Sequence, residues 1–564
     1  MKRISFTRDG QLTAGWFWLF AAVLTLGRLA AAAFQMGYYT PDLAPLDDTL
    51  LYDMAVSITQ GSWLGEYGWL TLSKHSFFAL WLAALHLLHI PFLVGGQALW
   101  AAGCAALACA FAPVLPTRGR RLALYGVLLW NPAAIAAFTL RVYRDNIFPA
   151  LCLLVFAGMA GFALRCTRQK AVGWLVLCGL SLGAVWLCRE DGVWVWPFVL
   201  AAGGIVVWRI CASRLPRRTK AGRAALLAIV PALFGLCLCG WAGMNAAAYG
   251  RFVVSDFTSS DFTSAYGALT RVQAGQDEQD GLIQIPLTRA GREALYEAGA
   301  EHFTLLRPWL EDPAFQNGYA DVRTGEYPAG AFYWALRRAA SEAGMYETAQ
   351  TAQEYFTALA DEVNTLCDSG AVEATGPRSS TTPRITAKYV GPVVREGLHS
   401  LWFCLTMQDA APCMDTISVG RAEDQIAPME AFLHTPANLA CKAGTSEPYY
   451  SPLQTLVFGV LQGVRHAYSL LLPLCLLLAV VRLCAGGRSV WKKGAGAGAR
   501  VAWLAVWGLL GMAVLRAMMI AFMEVASFGI GTSIMYLSTV HPLLIAAAAL
   551  GLLAPWKQLA EQRD

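Results

Sequence analysis

Three groups of charged residues stand beside long apolar runs, and their residue types suit chemistry on a hydroxyl or a phosphate. The first lies in the polar segment 38–74, where Asp47 and Asp48 are adjacent and Lys74 comes last. Paired carboxylates can accept a proton from a hydroxyl or hold a hard divalent cation, and a lysine can neutralise a phosphate. Either aspartate could instead cap a helix, because an apolar, helix-prone stretch follows directly.

Two shorter charged groups lie further along the chain. The second group is Arg141, Arg144 and Asp145, and the third is Arg189, Glu190 and Asp191. Arginines at a membrane surface could bind a substrate phosphate, but they could equally snorkel to headgroups, while Asp145 could favour a helix start. For the third group, a solvated turn whose charges pair with one another is the ordinary alternative.

Other polar residues near the first group are further candidates. Glu66 lies within the segment 38–74 and His75 directly follows it, so both could contact a substrate. His86 and His89 are spaced to share one helix face, yet no cysteine or carboxylate nearby completes a metal set. We therefore expect these two histidines to be buried or interfacial.

The composition predicts a membrane protein. Hydrophobic residues form 56% of the 564-residue chain, charged residues only 14%, and the mean hydropathy is +0.46. A soluble fold would have too little polar surface to cover itself. The net charge of +5 could suit an acidic partner, but the lysines and arginines cluster beside apolar runs. They therefore indicate topology and not a nucleic-acid surface.

Apolar stretches and basic loops together predict the topology. The stretches suited to crossing a bilayer are 16–34, 76–89, 93–115, 122–140, 147–164, 172–187, 193–211, 224–244, 456–483, 501–523 and 534–553. Loops rich in Lys and Arg alternate with loops poor in both, which places the basic ones in the cytoplasm. These loops are 165–170, 209–223, 482–500 and the tail from Lys557. The basic segment 1–8 and the long stretch 16–34 favour an uncleaved signal anchor over a cleaved signal peptide.

The number of crossings depends on one short loop. About ten crossings, with both termini cytoplasmic, result if Arg118, Arg120 and Arg121 are cytoplasmic. The stretches 76–89 and 93–115 then contribute one net crossing between them, so one of the two is re-entrant or lies at the interface.

The fold class expected is an α-helical polytopic membrane protein with a mostly helical extracytoplasmic domain inserted between transmembrane helices. The predicted units are a membrane module over 1–248, the extracytoplasmic domain over 249–453 and further membrane helices over 454–564. Helical spacing over 329–343 and 347–366 indicates the helical character of the inserted domain. Its cysteines predict one or two disulfides of open pairing, and they are Cys367, Cys404, Cys413 and Cys441.

Several strong motifs are absent from the sequence. There is no phosphate-binding loop of the Walker type, no His-Glu-x-x-His pair and no nucleotide-binding glycine fingerprint. An ATP-driven pump and a zinc membrane protease are therefore disfavoured.

The acidic pair at Asp47 and Asp48, the apolar helix array and a second external acid at Asp145 resemble membrane glycosyltransferases of the GT-C superfamily. The closer likeness, over 15–197, is to protein mannosyltransferases and lipid A aminoarabinose transferases. This resemblance implies a GT-C-like helix array. It also implies transfer of a sugar from a polyprenyl-phosphate donor to an extracytoplasmic glycan, lipid or protein of the cell envelope. The absence of Asn-x-Ser/Thr sites from the inserted domain and the compactness of the single chain fit a bacterial inner or plasma membrane.

The resemblance also implies roles for individual residues. Asp47 or Asp48 corresponds to the first-loop acid and Asp145 to the second, and these three could hold a divalent cation, Mg²⁺ or Mn²⁺, although some members of the superfamily need none. Lys74 lies near where some members place a basic residue that contacts phosphate, and Arg141 or Arg144 could act similarly.

The chain also departs from that pattern, which keeps other functions open. The Trp-Trp-Asp signature of oligosaccharyltransferases is absent, so asparagine glycosylation is not expected, and the inserted domain is helical where mannosyltransferases have an all-β one. Its aromatic residues could stack on sugars, although most suit a core: Tyr319, Tyr327, Phe332, Tyr333 and Trp334. The alternatives are a flippase or transporter of a lipid-linked substrate and a non-catalytic scaffold of the cell envelope.

Overall fold

The computed structural model describes residues 12–167, 171–277 and 281–561, and this part of the chain is α-helical, with isolated β-bridges but no strand. The predicted basic positions 1–8, Arg168 and Lys170 lie outside it. The first ten helices are α1 Ala14–Ala33, α2 Leu50–Thr59, α3 Phe77–Leu87, α4 Phe92–Ala110, α5 Arg118–Leu129, α6 Phe148–Ala163, α7 Val172–Cys188, α8 Trp196–Ala212, α9 Arg217–Ala225 and α10 Ile229–Tyr249.

Helices continue through the inserted segment and the C-terminal part. The next are α11 Ser260–Leu269, α12 Arg289–Glu297, α13 Glu301–Thr304, α14 Arg307–Leu310, α15 Pro313–Gln316, α16 Ala329–Glu342, α17 Ala349–Asp368, α18 Val390–Leu405 and α19 Ala427–Leu433. The last are α20 Pro452–Val490, α21 Ala497–Met523, α22 Ile534–Leu537, α23 Val540–Leu553 and α24 Trp556–Glu561.

The protein is a polytopic membrane protein. Six helical segments of the described chain are long and apolar enough to cross a bilayer, and the bent pair Arg118–Leu129 and Pro132–Leu140 makes a seventh if it forms one span. Three shorter apolar helices, α6, α7 and α23, are further candidates for crossing segments. The total of ten crossings remains a prediction.

The basic loops of the helix array gather at one face. Arg118 donates from Nη1 to the carbonyl of Leu12 (3.3 Å), Arg165 donates to the carbonyls at the end of α4 (2.7 Å), and Arg209 donates to the carbonyl of Ala163 (2.7 Å). The start of α1, the α4–α5 loop, the α6–α7 loop and the end of α8 therefore lie side by side, as the alternation of basic loops predicts.

Helix α3 begins and ends at the opposite face. Just before its start, the N–H of His75 donates to Glu190 (2.8 Å). Near its end, Nδ1 of His86 lies 2.8 Å from the carbonyl oxygen of Phe432, in the inserted segment. The eleven-residue helix therefore contributes no net crossing. This agrees with the expected interfacial position of one member of the pair 76–89 and 93–115.

The described part of the chain contains two large hydrophobic cores, one in the helix array and a second one, and a small cluster around Ile135 and Phe458. The second core lies within the inserted segment, where α11, α16 and α17 pack together, and the observed α16 and α17 confirm the helices predicted over 329–343 and 347–366. Helices α18 and α19 instead bury residues such as Phe403 and Phe432 in the core of the helix array. The boundaries at 248/249 and 453/454 remain a prediction.

The predicted disulfides are not formed. All fifteen cysteines lie within the described part of the chain, and each has a free thiol. Cys367 belongs to the second core and Cys404 to the core of the helix array, so these two of the four candidates are buried among different side chains.

Candidate functional site

Asp47 and Asp48 lie in the turn before α2. Residues Pro45–Thr49 form a π-helical turn, Thr49 is the N-cap of α2, and no side chain caps the helix. The prediction that Asp47 or Asp48 caps α2 is therefore wrong. Both carboxylates bind basic side chains from elsewhere in the chain.

Asp47 pairs with Lys74 at the open edge of the site. The Asp47 side chain is 41% exposed, whereas that of Lys74 is only 7% exposed, so the ammonium does not snorkel to the surface. Its Nζ also lies 5.9 Å from the ring centroid of Tyr143 and 5.2 Å from that of Trp334. Burial would raise the pKa of Asp47, but Lys74, with Arg144 and Arg141, outweighs this effect and holds the pKa below its ordinary value.

Asp48 is the buried member of the acidic pair. Arg141 donates to it with both arms of its guanidinium, from Nε to Oδ2 (3.0 Å) and from Nη2 to Oδ1 (2.7 Å). The Asp48 side chain is 1% exposed and that of Arg141 is 26% exposed. Burial raises the pKa of Asp48 above its ordinary value, although Arg141 opposes the shift.

Arg144 joins the second charged group to the third. Its Nη1 donates to both carboxylate oxygens of Glu190 (2.9 and 2.8 Å), and its Nη2 donates to the hydroxyl of Tyr143 (3.0 Å). Glu190 also accepts the backbone N–H of His75. The His75 ring is buried, with Nδ1 2.5 Å from the carbonyl oxygen of Trp186, so its observed contacts position the loop.

A chain of ion pairs continues from Asp145 into the array. Arg189 donates to Asp145 (2.6 Å) and, with two nitrogens, to Asp191 (3.0 and 2.9 Å). Asp191 also accepts from Arg516 of α21 (2.7 Å), and Asp145 accepts from the hydroxyl of Ser538 (3.2 Å). Burial raises the pKa of Asp145 in spite of Arg189. Arg144 is buried, so the alternative of a snorkelling arginine is wrong. The third turn is not solvated at Arg189, although Arg189 and Asp191 do pair with one another as that alternative expected.

The ring of Tyr143 lies among three cations. Besides Lys74, the guanidinium carbons of Arg141 and Arg144 lie 5.6 and 5.2 Å from its centroid, within the range of cation–π contact. We call the whole set the face network, and it consists of Asp47, Asp48, Lys74, Arg141, Arg144, Asp145, Arg189, Glu190, Asp191 and Arg516. Its five acidic and five basic side chains balance in formal charge.

The carboxylates of the face network do not fit a metal site. Over the described ranges, no group of three or more His, Cys, Asp or Glu side chains could hold a metal ion. Asp47, Asp48 and Asp145 each bind a different cation, namely Lys74, Arg141 and Arg189. The arrangement therefore does not support the expected divalent cation at these three residues.

The predicted candidates lie together with one exception, and other members were missed. Glu66 is exposed and makes no ion pair in the described part of the chain. The missed contributors are Tyr143, Arg516 and Ser538, while Trp334 was expected only as a stacking surface or a core residue. Only Arg516 carried a usable signal, because a charge inside an apolar run is costly unless it has a partner. Arg516 lies inside the apolar stretch 501–523, which predicts that it has a partner but does not indicate which residue that partner is.

Comparison with known proteins gives no family. No protein-family model and no curated protein matches the chain. Solved structures that align with it include ArnT from Cupriavidus metallidurans in the apo state, with 14% identity and a TM-score of 0.29 over 95% of this chain and 77% of that one. ArnT bound to undecaprenyl phosphate aligns with 12% identity and a TM-score of 0.31, over 95% and 78%. Likeness at such low scores assigns neither a fold nor an activity to this chain.

Proposed function

We propose that the face network transfers a sugar from a polyprenyl-phosphate donor to an acceptor hydroxyl on the extracytoplasmic side of the membrane. The observation that carries the proposal is the half-exposed Asp47 beside the buried Lys74, with two arginines around the same tyrosine ring. A proton acceptor thus stands next to a group of cations at one end of an apolar helix array. Sugar transfer from a lipid-linked phosphate needs both a proton acceptor for the attacking hydroxyl and cations for the leaving phosphate.

The cations suit the leaving phosphate. The cationic groups of Lys74, Arg141 and Arg144 all lie within 6 Å of the centroid of the Tyr143 ring, so they form one positively charged group beside Asp47. Negative charge grows on the phosphate as its bond to the sugar breaks, so cations held beside it stabilise the transition state more than the ground state. Burial of Lys74 and Arg144 strengthens this effect because little water screens them.

Asp47 is the best placed general base. Asp48 is buried and bound on both oxygens by Arg141, and Asp145 is buried between Arg189 and Ser538. We assign those two acids to positioning. Asp47 would accept the proton of the acceptor hydroxyl while that oxygen attacks the anomeric carbon. The carbon–oxygen bond to the phosphate breaks, polyprenyl phosphate leaves, and the configuration inverts.

Donor binding would itself activate the base. Lys74 holds the pKa of Asp47 low, which makes the free carboxylate a weak proton acceptor. A donor phosphate that takes over Lys74 removes this stabilisation and adds negative charge to a network that is formally balanced. The pKa of Asp47 then rises, and the carboxylate becomes a stronger base only when donor is present.

The positive-inside rule assigns the sides of the membrane. The face that gathers the Lys- and Arg-rich loops belongs in the cytoplasm, together with both termini. The face network and the inserted segment are then extracytoplasmic, as for an enzyme of a bacterial plasma membrane that modifies the cell envelope. A transporter would instead need charges near the bilayer midplane, whereas the ion pairs gather at one end of the array.

Transfer assays with three variants test the proposal. Purified protein in nanodiscs is supplied with a panel of labelled polyprenyl-phosphate sugars and acceptors, and Asp47→Asn, Asp48→Asn and Asp145→Asn are compared with wild type. The matched control is Asp321→Asn, since Asp321 is 43% exposed and also pairs with an arginine, Arg323. Loss of transfer in Asp47→Asn with the control unaffected supports the proposal. Undiminished transfer in all three variants, or sided transport of intact donor without product, contradicts it.

A further inference from the structure

A cavity of about 150 Å³ lies in the inserted segment, among residues that the face network does not use. Three basic side chains line it, namely Arg378, Arg384 and Lys388, together with several threonine and glutamine side chains. No carboxylate is among its described lining residues. This is the opposite of the face network, where every cation has an acidic partner.

The two arginines are held in place by neutral groups. Nη2 of Arg384 donates to the carbonyl of Thr270 (2.6 Å) and to the hydroxyl of Thr375 (2.7 Å), while Gln284 bonds its backbone N–H and carbonyl. Arg378 donates to the carbonyl of Thr382. A guanidinium has five N–H donors, so both arginines keep donors for a ligand.

The loop that carries the arginines sits directly on α11. A Cβ atom at Gly267 would come within 2.3 Å of the carbonyl oxygen of Arg378, so only glycine allows this approach. Burial lowers the pKa of both arginines, and the like charge of Arg384 lowers that of Arg378 further. Both nevertheless stay charged at neutral pH, so a bound anion would relieve their repulsion.

The cavity adjoins the end of a membrane helix. The N–H of Gln284 donates to the carbonyl of Ala526 (2.8 Å), just beyond α21, and the ring of Tyr389 lies 5.9 Å from that of Phe522. Helix α18 starts beside the cavity and packs along α21. It exposes an apolar stripe with exposed fractions of 47–63%, formed by Val390, Val394, Leu398 and Trp402. The cavity therefore lies where lipid headgroups would meet the protein.

We propose that this cavity binds a phosphate group, carried by an anionic lipid headgroup or by a soluble phosphorylated molecule. Within the described part of the chain these two guanidinium groups and the lysine make no ion pair with an acid, and their N–H donors suit the geometry of phosphate oxygens. The apolar stripe beside the cavity favours the lipid source. The site is separate from the face network and does not depend on the transfer reaction.

Phosphate binding by the full-length protein in detergent tests the site. The change in melting temperature with inorganic phosphate, at constant ionic strength in chloride, is compared for wild type, Arg378→Gln/Arg384→Gln and the control Arg323→Gln. Arg323 is an exposed arginine of the same segment that pairs with Asp321. We expect the double variant to bind phosphate roughly tenfold or more weakly, because it loses charge-assisted hydrogen bonds, and the control to bind like wild type.

Two further arms identify the source and guard against misfolding. Nanodiscs of phosphatidylcholine are compared with nanodiscs that also contain phosphatidic acid, and greater stabilisation by the anionic lipid than by free phosphate assigns the site to a headgroup. The variant Arg378→Lys/Arg384→Lys keeps both charges and should retain part of the response, even if the glutamine variant is unstable. An equal response in wild type and the glutamine variant, or no response to either phosphate source, would overturn the proposal.

Discussion

Two regions of the molecule bury ion pairs, and they do so in different ways. In the inserted segment, Arg251 binds Asp256 (3.0 Å) and Asp261 (2.8 and 2.9 Å), and Arg337 also binds Asp256 (2.8 Å). We call these four residues the domain network. Their side chains are at most 7% exposed. In the face network, by contrast, Asp47 is 41% exposed.

The difference lies in what each network can still bind. The domain network is closed, since its charges meet one another and the carbonyl of Trp69, which accepts from Arg337. Burying these charges costs desolvation free energy, and the attraction between the charges offsets that cost only while every partner is present. The face network has an open edge where a ligand anion could exchange with Asp47 at Lys74. Closure indicates a structural role, and an open edge indicates a site.

The largest expected effect is on activity, at the open edge. Asp47→Asn should lower kcat by roughly 10²–10⁴, the usual contribution of a general base. Turnover of the most reactive donor is the measurement, with Asp321→Asn as the matched surface control. The melting temperature should fall as well, because Asp47 is the acidic partner of the buried Lys74, so turnover is expressed per folded molecule. A variant that keeps full turnover would show that the open edge is not where the chemistry occurs.

The next largest effect is on the free energy of unfolding, when the domain network loses an acid. Asp256→Asn should destabilise the protein by about 3–5 kcal/mol, because it leaves two buried arginines short of a charge partner. Thermal unfolding in the same nanodiscs measures the loss. The transfer rate per folded molecule should stay unchanged. A variant of normal stability would remove the contrast between the two networks.

The third prediction concerns the pH dependence of kcat and kcat/KM, which depends on the protonation of Asp47 at the open edge. In the free enzyme the pKa of Asp47 is below its ordinary 3.8, so the carboxylate stays ionised and kcat/KM stays flat as the pH falls from 6 to about 4. With donor bound, the phosphate takes over Lys74, and the pKa of Asp47 rises because the carboxylate loses its neighbouring cation. The acid limb of kcat should therefore lie at higher pH than the acid limb of kcat/KM.

Buffer series of initial rates at saturating and at low donor concentration separate the two limbs. The sign is fixed by the role of the base, because protonation on lowering the pH removes activity. Coincident acid limbs for kcat and kcat/KM would mean that donor does not displace the lysine.

The helices and the two faces could be predicted because they depend on local patterns. Apolar length identifies crossing segments, the alternation of basic loops orders them, and the residues of α16 and α17 repeat at helical spacing. The charged groups could be assigned to one face in the same way. Each of these inferences uses neighbours in the chain.

The pairing within the face network could not be predicted, because its partners are distant in the chain. Asp191 and Arg516 are 325 residues apart, and no local pattern links Lys74 to Trp334. The helix-cap interpretation of Asp47 and Asp48 was wrong for the same reason. Local propensity favours a cap, but the carboxylates gain more from Lys74 and Arg141 than from backbone N–H groups.

The smallest expected effect is at the contact between the two regions. Trp334 belongs to α16, at the edge of the second core, yet its ring lies over Lys74 of the face network. Trp334→Ala should raise the KM for donor by roughly two- to tenfold, since cation–π and stacking contacts are worth about 0.5–1.5 kcal/mol. The catalytic rate constant should change less, because the ring carries no proton and no charge.

The control for Trp334 is Trp309→Ala, since Trp309 is also a half-buried tryptophan packed against the second core. Both variants lose similar packing, so any equal loss of stability cancels in the comparison. A rise in KM confined to Trp334→Ala would show that the inserted segment forms part of the donor site. Equal KM values in the two variants would restrict the donor site to the helix array, with no contribution from the inserted segment.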